Sequence, residues 1–278
     1  MIYVDDYKLS GPKENLAEGW KLLRAGIKTD DPASLGRYLG CMHRIHKLPD
    51  RTVIEYDMES FLQQCLERYE KACSVAVVYK PAPTPFLDDK VFTEDQLVGK
   101  GVLATSACAI LMKILYCARL ARFDLLRGVC ALASFVSRWT EACDMKLYRL
   151  MCYIRQSLKY RLICYVGNQI ADISLQLFAD ADHAGDKETA KSTSGMLLAL
   201  RGSHTFFPLT AQSKKQTAVS HSTPEAELVS ADAALRLAGL PASILWDKVF
   251  NRTVQLTLEE DNQTAIRTMQ VGYSPTMR

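Results

Sequence analysis

The chain has 278 residues, 48% hydrophobic, 23% charged and 9% aromatic, with a formal net charge of +3. At roughly 100–200 residues per domain, that is two domains' worth of chain with enough apolar content for real cores, which excludes long disorder, collagen and a repeat array. The longest charge-free apolar stretch, near residues 102–112, is far short of the roughly 20 residues of a membrane span, and no basic-then-apolar leader opens the chain.

Residues 1–4 are short, apolar and β-prone, Asp5-Asp6 interrupts them, and residues 7–9 resume before Ser10-Gly11-Pro12, a pattern that predicts a hairpin. Pro12 and the spacing of Leu16, Trp20 and Leu23 predict a helix to about residue 27. Strands are expected at 38–45 and 52–56. A helix then places Phe61, Leu62, Cys65, Leu66 and Tyr69 on one face. Lys80-Pro-Ala-Pro-Thr-Pro85 reads as an extended, semi-rigid strap. Three helices fit the nearly proline- and glycine-free stretch that follows, at 103–121, 124–141 and 144–160.

The last section opens with alternation over 173–178, a strand running to Asp180. Strands at 195–200 and 204–209 follow, joined at Arg201-Gly202-Ser203. An alanine-rich helix is expected over 222–237, a second helix over 241–249, a strand over 254–258 and a final helix over 262–270. The order β-β-β-α-α-β-α makes an α+β or mixed sheet.

Cysteine and charge both change character along the chain. All nine cysteines lie between Cys41 and Cys164, with no CxxC pair. An odd count in this arrangement argues against a disulfide scaffold or a zinc site and for buried free thiols in a reducing compartment. Residues 101–171 hold ten basic side chains to three acidic ones. Such an excess suits a phosphate backbone, although a solvated helix face with basic bias carries equal weight.

Three acidic groups of the last section stand where chemistry could use them: Asp180 at a strand end, Glu227 one turn into a helix, and Asp261 just after a strand. Clustered carboxylates repel one another unless cations sit between them, and an all-oxygen donor set suits Mg²⁺. Two such ions can activate water and stabilise a leaving oxygen at a phosphodiester. Each residue also has an ordinary reading, as a turn or cap for the aspartates and as a dipole partner for the glutamate. Ser222-Thr-Pro-Glu225 fits a capping box with Pro224 in the first turn, which occupies Glu225 and leaves Glu227 free. Spacing alone does not choose among Asp180, Asp182 and Asp186.

Nine short blocks in order resemble the C-terminal part of a copia-type retrotransposon Pol polyprotein. Tyr3-Val4-Asp5-Asp6 resembles a reverse-transcriptase palm motif, and Leu39-Gly40 and Thr84-Pro85 fall where that family has similar pairs. Arg122-Phe123-Asp124 resembles Arg-Pro-Asp. Asp180-Ala-Asp-His-Ala-Gly-Asp186 resembles Asp-Ala-Asp-Trp-Ala-Gly-Asp, with His183 for Trp. Lys191-Ser-Thr-Ser-Gly195 matches the next block. Ser213-Lys-Lys-Gln216 matches another, with Ala211 where the family has Trp. Ser222-Thr-Pro-Glu-Ala-Glu227 carries a Glu-Ala-Glu block, and Asp261-Asn-Gln-Thr-Ala-Ile266 is similar to Asp-Asn-Gln-Ser-Ala-Ile.

The resemblance implies a partial reverse-transcriptase palm and thumb over 1–85, a helical connection over 86–172 and a ribonuclease-H-like mixed sheet with flanking helices over 173–278. It implies hydrolysis of the RNA strand of RNA–DNA hybrids with Mg²⁺, or Mn²⁺, held by Asp180, Glu227 and Asp261. Asp5 and Asp6 would be two of three polymerase metal carboxylates. Lys214, Lys215, Ser213, Gln216, Arg119 and Arg122 would lie along nucleic acid. By the family pattern the third polymerase carboxylate would precede Tyr3, and a fourth nuclease carboxylate would follow residue 278. The expectation is therefore a fragment with polymerase activity lost, either a weak hybrid ribonuclease or a non-catalytic nucleic-acid-binding remnant. A cytoplasmic or nuclear location and no membrane partner are expected with it.

Overall fold

The structure, a computed structural model, describes residues 2–3, 6–186 and 188–273. A two-stranded hairpin, β1 (Ile2–Tyr3) with β2 (Asp6–Tyr7), precedes helix α1 (Lys13–Gly26), whose N-cap is Pro12. The expected strand over 38–45 is instead a tight hairpin, β3 (Arg37–Tyr38) and β4 (Cys41–Lys47). Leu39 and Gly40 both have positive φ, 51° and 77°, and two such residues in a row close a two-residue turn. β5 (Thr52–Asp57) pairs antiparallel with β4, and α2 (Glu59–Ala72) follows.

The proline strap lies packed along a helix rather than free. Ala82 is buried, its N–H donates to Gln156 Oε1 at 3.0 Å, and Arg149 Nε donates to the Thr84 carbonyl at 2.8 Å. Short helix α3 (Glu94–Val98), capped reciprocally by Thr93 and Gln96, leads into α4 (Ala104–Leu120), α5 (Leu126–Ala133) and α6 (Glu141–Gln156). The middle helix is shorter than expected, and a 3₁₀ turn at Val136–Arg138 separates it from α6. α6 begins early because Thr140 Oγ1 accepts the Cys143 N–H. These helices bury one core, with Leu62 and Leu66 of α2 against Ile110, Leu111 and Ile114 of α4 and Leu147 and Leu150 of α6. All nine cysteines are free, six of them buried, and burial pushes the Cys41 thiol up to about 11 and the Cys164 thiol up to about 12.

β6 (Leu162–Val166) was not expected from the sequence. It joins the first group of strands to the last section, pairing with β5 on one side and meeting the next group at Tyr165↔Phe206 on the other. That group is β7 (Ser174–Asp182), β8 (Thr193–Gly202) and β9 (Thr205–Lys215), an antiparallel meander as predicted. Then come α7 (Thr223–Ala234), a π-turn at Leu235–Gly239, α8 (Leu240–Phe250), β10 (Leu256–Glu259) and α9 (Gln263–Val271). β10 adds parallel to β7, so the eight-stranded sheet runs β10-β7-β8-β9-β6-β5-β4-β3 and the fold is mixed α/β.

The period-2 pattern of β7 puts Leu175, Leu177 and Ala179 against Ala231 and Ala234 of α7 in a second core. Small alanines let the helix approach the sheet closely. Gly239 extends this approach, since a Cβ there would meet Leu177 Cδ2 at 3.0 Å. Pro241 lacks the N–H that would continue the ladder, and the wide π-turn precedes it. The whole run Thr223–Phe250, 28 residues, is long and apolar enough to cross a membrane by length and composition, with 28% of the qualifying window buried in the fold. It holds no long charge-free stretch, because Glu225, Glu227 and Asp232 interrupt its sequence.

Candidate metal centre

β7 is flanked by β8 and β10, but β10 pairs with it only as far as Phe178, so the C-terminal end at Asp180–Asp182 is paired with β8 alone. Asp180 and Asp182 share one face of β7, two residues apart. Asp180 pairs in register with Gly195 of β8, which pairs with Ser213 of β9. The absence of a side chain at Gly195 leaves a shallow cleft of about 290 Å³ there, lined by Asp180, Ser213, Phe123 and Arg127 among others.

α7 delivers the second carboxylate. Ser222 Oγ accepts the Glu225 N–H at 3.4 Å, Pro224 sits in the first turn, and Glu225 Oε2 accepts the His221 N–H at 2.8 Å. Glu225 therefore has its capping role, although toward the residue before the cap rather than the cap itself. Two residues on, Glu227 turns inward and is 4% exposed. The Ser230 hydroxyl donates to the Asp180 carbonyl at 2.8 Å and fixes α7 against β7. Asp261 lies two residues past the end of β10, and Asn262 Oδ1 caps α9 by accepting the Ala265 N–H at 3.0 Å.

Three elements thus bring together ligand atoms of Asp180, Glu227 and Asp261 within 4.8 Å of one another, the one group of its kind among the described residues. Asp180 and Asp261 are exposed and Glu227 is buried. Burial, and then the negative charges of Glu260, Asp180 and Asp261, push the Glu227 carboxyl up to about 7. Glu227 Oε2 is buried with no hydrogen-bond partner among the described residues. A buried carboxylate oxygen without a donor is costly, and a hard cation is the partner that an all-oxygen set suits.

The neighbouring aspartates are engaged elsewhere. Asp182 accepts from Arg127 at 2.8 Å and from the Thr193 N–H. Asp186 accepts the N–H groups of Glu188 and Thr189, each at 3.0 Å, and pairs with Lys215. Burial acts against it, but the Lys215 and Thr189 hydrogen bonds hold the Asp186 carboxyl below its ordinary value. Of the three aspartates that spacing left open, Asp180 is the one grouped with Glu227 and Asp261.

The expected nucleic-acid contacts divide. Lys214 and Arg119 are exposed and line the same cavity of about 630 Å³. Ser213 is half-buried beside the Asp180 cleft. Lys215 is paired with Asp186. Arg122 is turned into the helical core. It is 2% exposed, donating to Asp124 Oδ1 at 2.9 Å, the Ser157 carbonyl at 3.0 Å and Ser157 Oγ at 2.7 Å. Gln216 is likewise buried, with Nε2 donating to the Ala226 carbonyl at 2.9 Å and to Ser194 Oγ at 3.0 Å, so it clamps the first turn of α7. Asp5 lies outside the described residues, and Asp6 is exposed on the N-terminal hairpin, outside the carboxylate group. Arg127 was not among the expected site residues. Its guanidinium bridges α5 to Asp182 and to Thr193 Oγ1 at 3.0 Å, over the Phe86 ring. Only the local basic excess hinted at it.

No family model matches the chain. It is 27% identical over 228 residues to the retrovirus-related Pol polyprotein from transposon RE1 of Arabidopsis thaliana, covering 82% of this chain and 14% of that protein. It is also 27% identical over 285 aligned positions to the retrovirus-related Pol polyprotein from transposon TNT 1-94 of Nicotiana tabacum, covering 96% of this chain. The chain is thus similar to retrovirus-related Pol polyproteins of plant transposons. It spans 14% and 19% of the length of those two proteins, and both alignments take in most of its own sequence.

Proposed function

We propose that residues 173–278 form a ribonuclease-H-type unit that hydrolyses the RNA strand of RNA–DNA hybrids, with Asp180, Glu227 and Asp261 holding Mg²⁺ or Mn²⁺. The observation that carries this reading is the convergence of three carboxylates from β7, α7 and the end of β10, with a buried Glu227 oxygen that has no donor. A bound divalent cation would supply charge stabilisation at the scissile phosphate. The chain's own residues do the rest. Asp180 and Asp261 are open to solvent and accessible to a backbone laid over them. Ser230 and Gln216 hold α7 so that Glu227 meets the strand-end aspartates. Lys214 and Arg119 offer exposed positive charge for further phosphates. Residues 1–85 are proposed as the remnant of a polymerase palm and thumb, and 86–172 as the helical connection.

The test is cleavage of a labelled hybrid with Mg²⁺ or Mn²⁺. Cutting that Asp180→Asn abolishes is expected. No cutting by the wild-type chain, or cutting unchanged in the variant, overturns the nuclease reading. Salt-sensitive hybrid binding without cutting is the behaviour of a non-catalytic remnant.

A further inference from the structure

Two carboxylate oxygens among the described residues are buried without a hydrogen-bond partner: Glu227 Oε2 and Glu260 Oε2. They belong to the same place in the fold. Glu260 lies between the end of β10 and Asp261, and of the charges acting on Glu227 its own is the strongest, ahead of Asp180 and Asp261. Asp180 and Asp261 act on Glu260 in turn.

A purely structural role accounts for only half of this side chain. Glu260 Oε1 accepts the Asn262 N–H at 3.0 Å, an ordinary local bond ahead of α9. That bond fixes the carboxylate and leaves Oε2 facing inward with nothing to accept from. The surrounding acidic residues contrast with it. Glu259 Oε1 takes the Gln176 amide at 2.5 Å, Asp182 has Arg127, and Asp186 has Lys215. None of Asp180, Glu227, Glu260 and Asp261 has a lysine or arginine counter-ion among the described residues. Four uncompensated carboxylates, two of them with orphaned buried oxygens, call for positive charge that the protein itself does not provide.

We propose that Glu260 is a fourth carboxylate of the cation centre: it stands outside the group of Asp180, Glu227 and Asp261 whose ligand atoms lie within 4.8 Å of one another, and its unpartnered Oε2 supports the cation from beside that group. The proposal rests on the cation-binding reading of that centre and adds a carboxylate to it.

The experiment is Mn²⁺ binding to the full chain, by calorimetry and by the manganese spin-resonance signal, with Mn²⁺ alone as the probe. Wild type is compared with Glu260→Gln, Asp180→Asn and Glu259→Gln. Removing a ligand or its close support costs about 10- to 100-fold in affinity, so Glu260→Gln is expected to lose at least about ten-fold. Glu259→Gln, which removes the same charge one residue away, is expected to bind as wild type does. Melting in EDTA separates a folding defect from a lost ligand: Glu260→Gln melts at or above the wild-type temperature when no cation is present. Wild-type affinity in Glu260→Gln, with affinity lost in Asp180→Asn, overturns the Glu260 assignment and leaves the three-carboxylate centre standing. A lower melting temperature in EDTA together with unchanged affinity assigns Glu260 to the start of α9 alone and overturns it equally. Wild-type affinity in Asp180→Asn overturns the centre itself and the assignment with it.

Discussion

A site built from clustered carboxylates stores repulsion that a cation relieves, so removing one carboxylate should stabilise the cation-free protein and weaken its response to cation. Asp180→Asn is the cleanest perturbation, because it keeps the side-chain shape and leaves the Ser230 bond to the Asp180 carbonyl in place. The ligand atoms lie within 4.8 Å of one another. At that separation one pair of unit charges costs about 0.9 kcal/mol in water-like surroundings and about 3.5 kcal/mol at a partly buried surface. Asp180 and Asp261 are exposed, and Glu227 carries a proton part of the time near neutral pH, which places the relief at the lower end. About 1 kcal/mol translates to a rise of about 2–4 °C in melting temperature for a protein of this size. Saturating Mg²⁺ acts in the opposite order. At a hundred-fold excess over the wild-type dissociation constant it would stabilise the wild type by about 2.7 kcal/mol, and the variant, with about 10- to 100-fold lower affinity, by only about 0.4–1.4 kcal/mol. The two melting curves therefore exchange places between EDTA and Mg²⁺. A variant that melts below wild type in EDTA, or that gains as much from Mg²⁺ as wild type does, refutes the argument.

Further tests follow from the same geometry. Because Glu227 titrates near 7 in the folded protein and near 4.5 as a free side chain, the cation-free fold loses stability from this group as pH rises from about 4.5 through 7. Cation affinity should climb over the upper part of that range with uptake of Mn²⁺ releasing protons, read by calorimetry in buffers of different ionisation enthalpy; a pH-independent affinity contradicts it. Arg122→Met should destabilise the helical core by about 3 kcal/mol in urea melts while leaving hybrid affinity unchanged, because the guanidinium is buried on Asp124 and Ser157. Weakened hybrid binding at wild-type stability would return Arg122 to the nucleic-acid surface. Lys214→Ala should lower the slope of log affinity against log salt by about 1, as for the loss of one phosphate contact, and an unchanged slope excludes it from the interface.

Much of the fold was legible residue by residue. The alternation that opens β7, the Ser222–Pro224 cap that starts α7, the paired strands β8 and β9 and the last helix are local events, set by side-chain period, capping and turn chemistry within a few residues. Asp180, Glu227 and Asp261 could be singled out as candidates for the same reason, since each stands at a recognisable boundary. The misses have one common cause. Leu39-Gly40 makes a turn inside an apparent strand because both residues adopt positive φ, a choice stabilised by the pairing of β3 with β4. β6 is short and irregular in pattern, and its partners β5 and β9 define it.

At the site the division is sharper. The family resemblance presented Arg122 and Gln216 as groups along nucleic acid, and spacing left Asp180, Asp182 and Asp186 equivalent. Burial consumed the first two, and Arg127 and Lys215, which come from elements far along the chain, occupied two of the three aspartates. Glu260 carried no signal beside Glu259 until packing left one of its oxygens without a donor. What a residue prefers is written within a turn or two of chain. Whether it is free to act depends on which distant groups have already satisfied its charge and hydrogen bonds, and only the tertiary structure decides that.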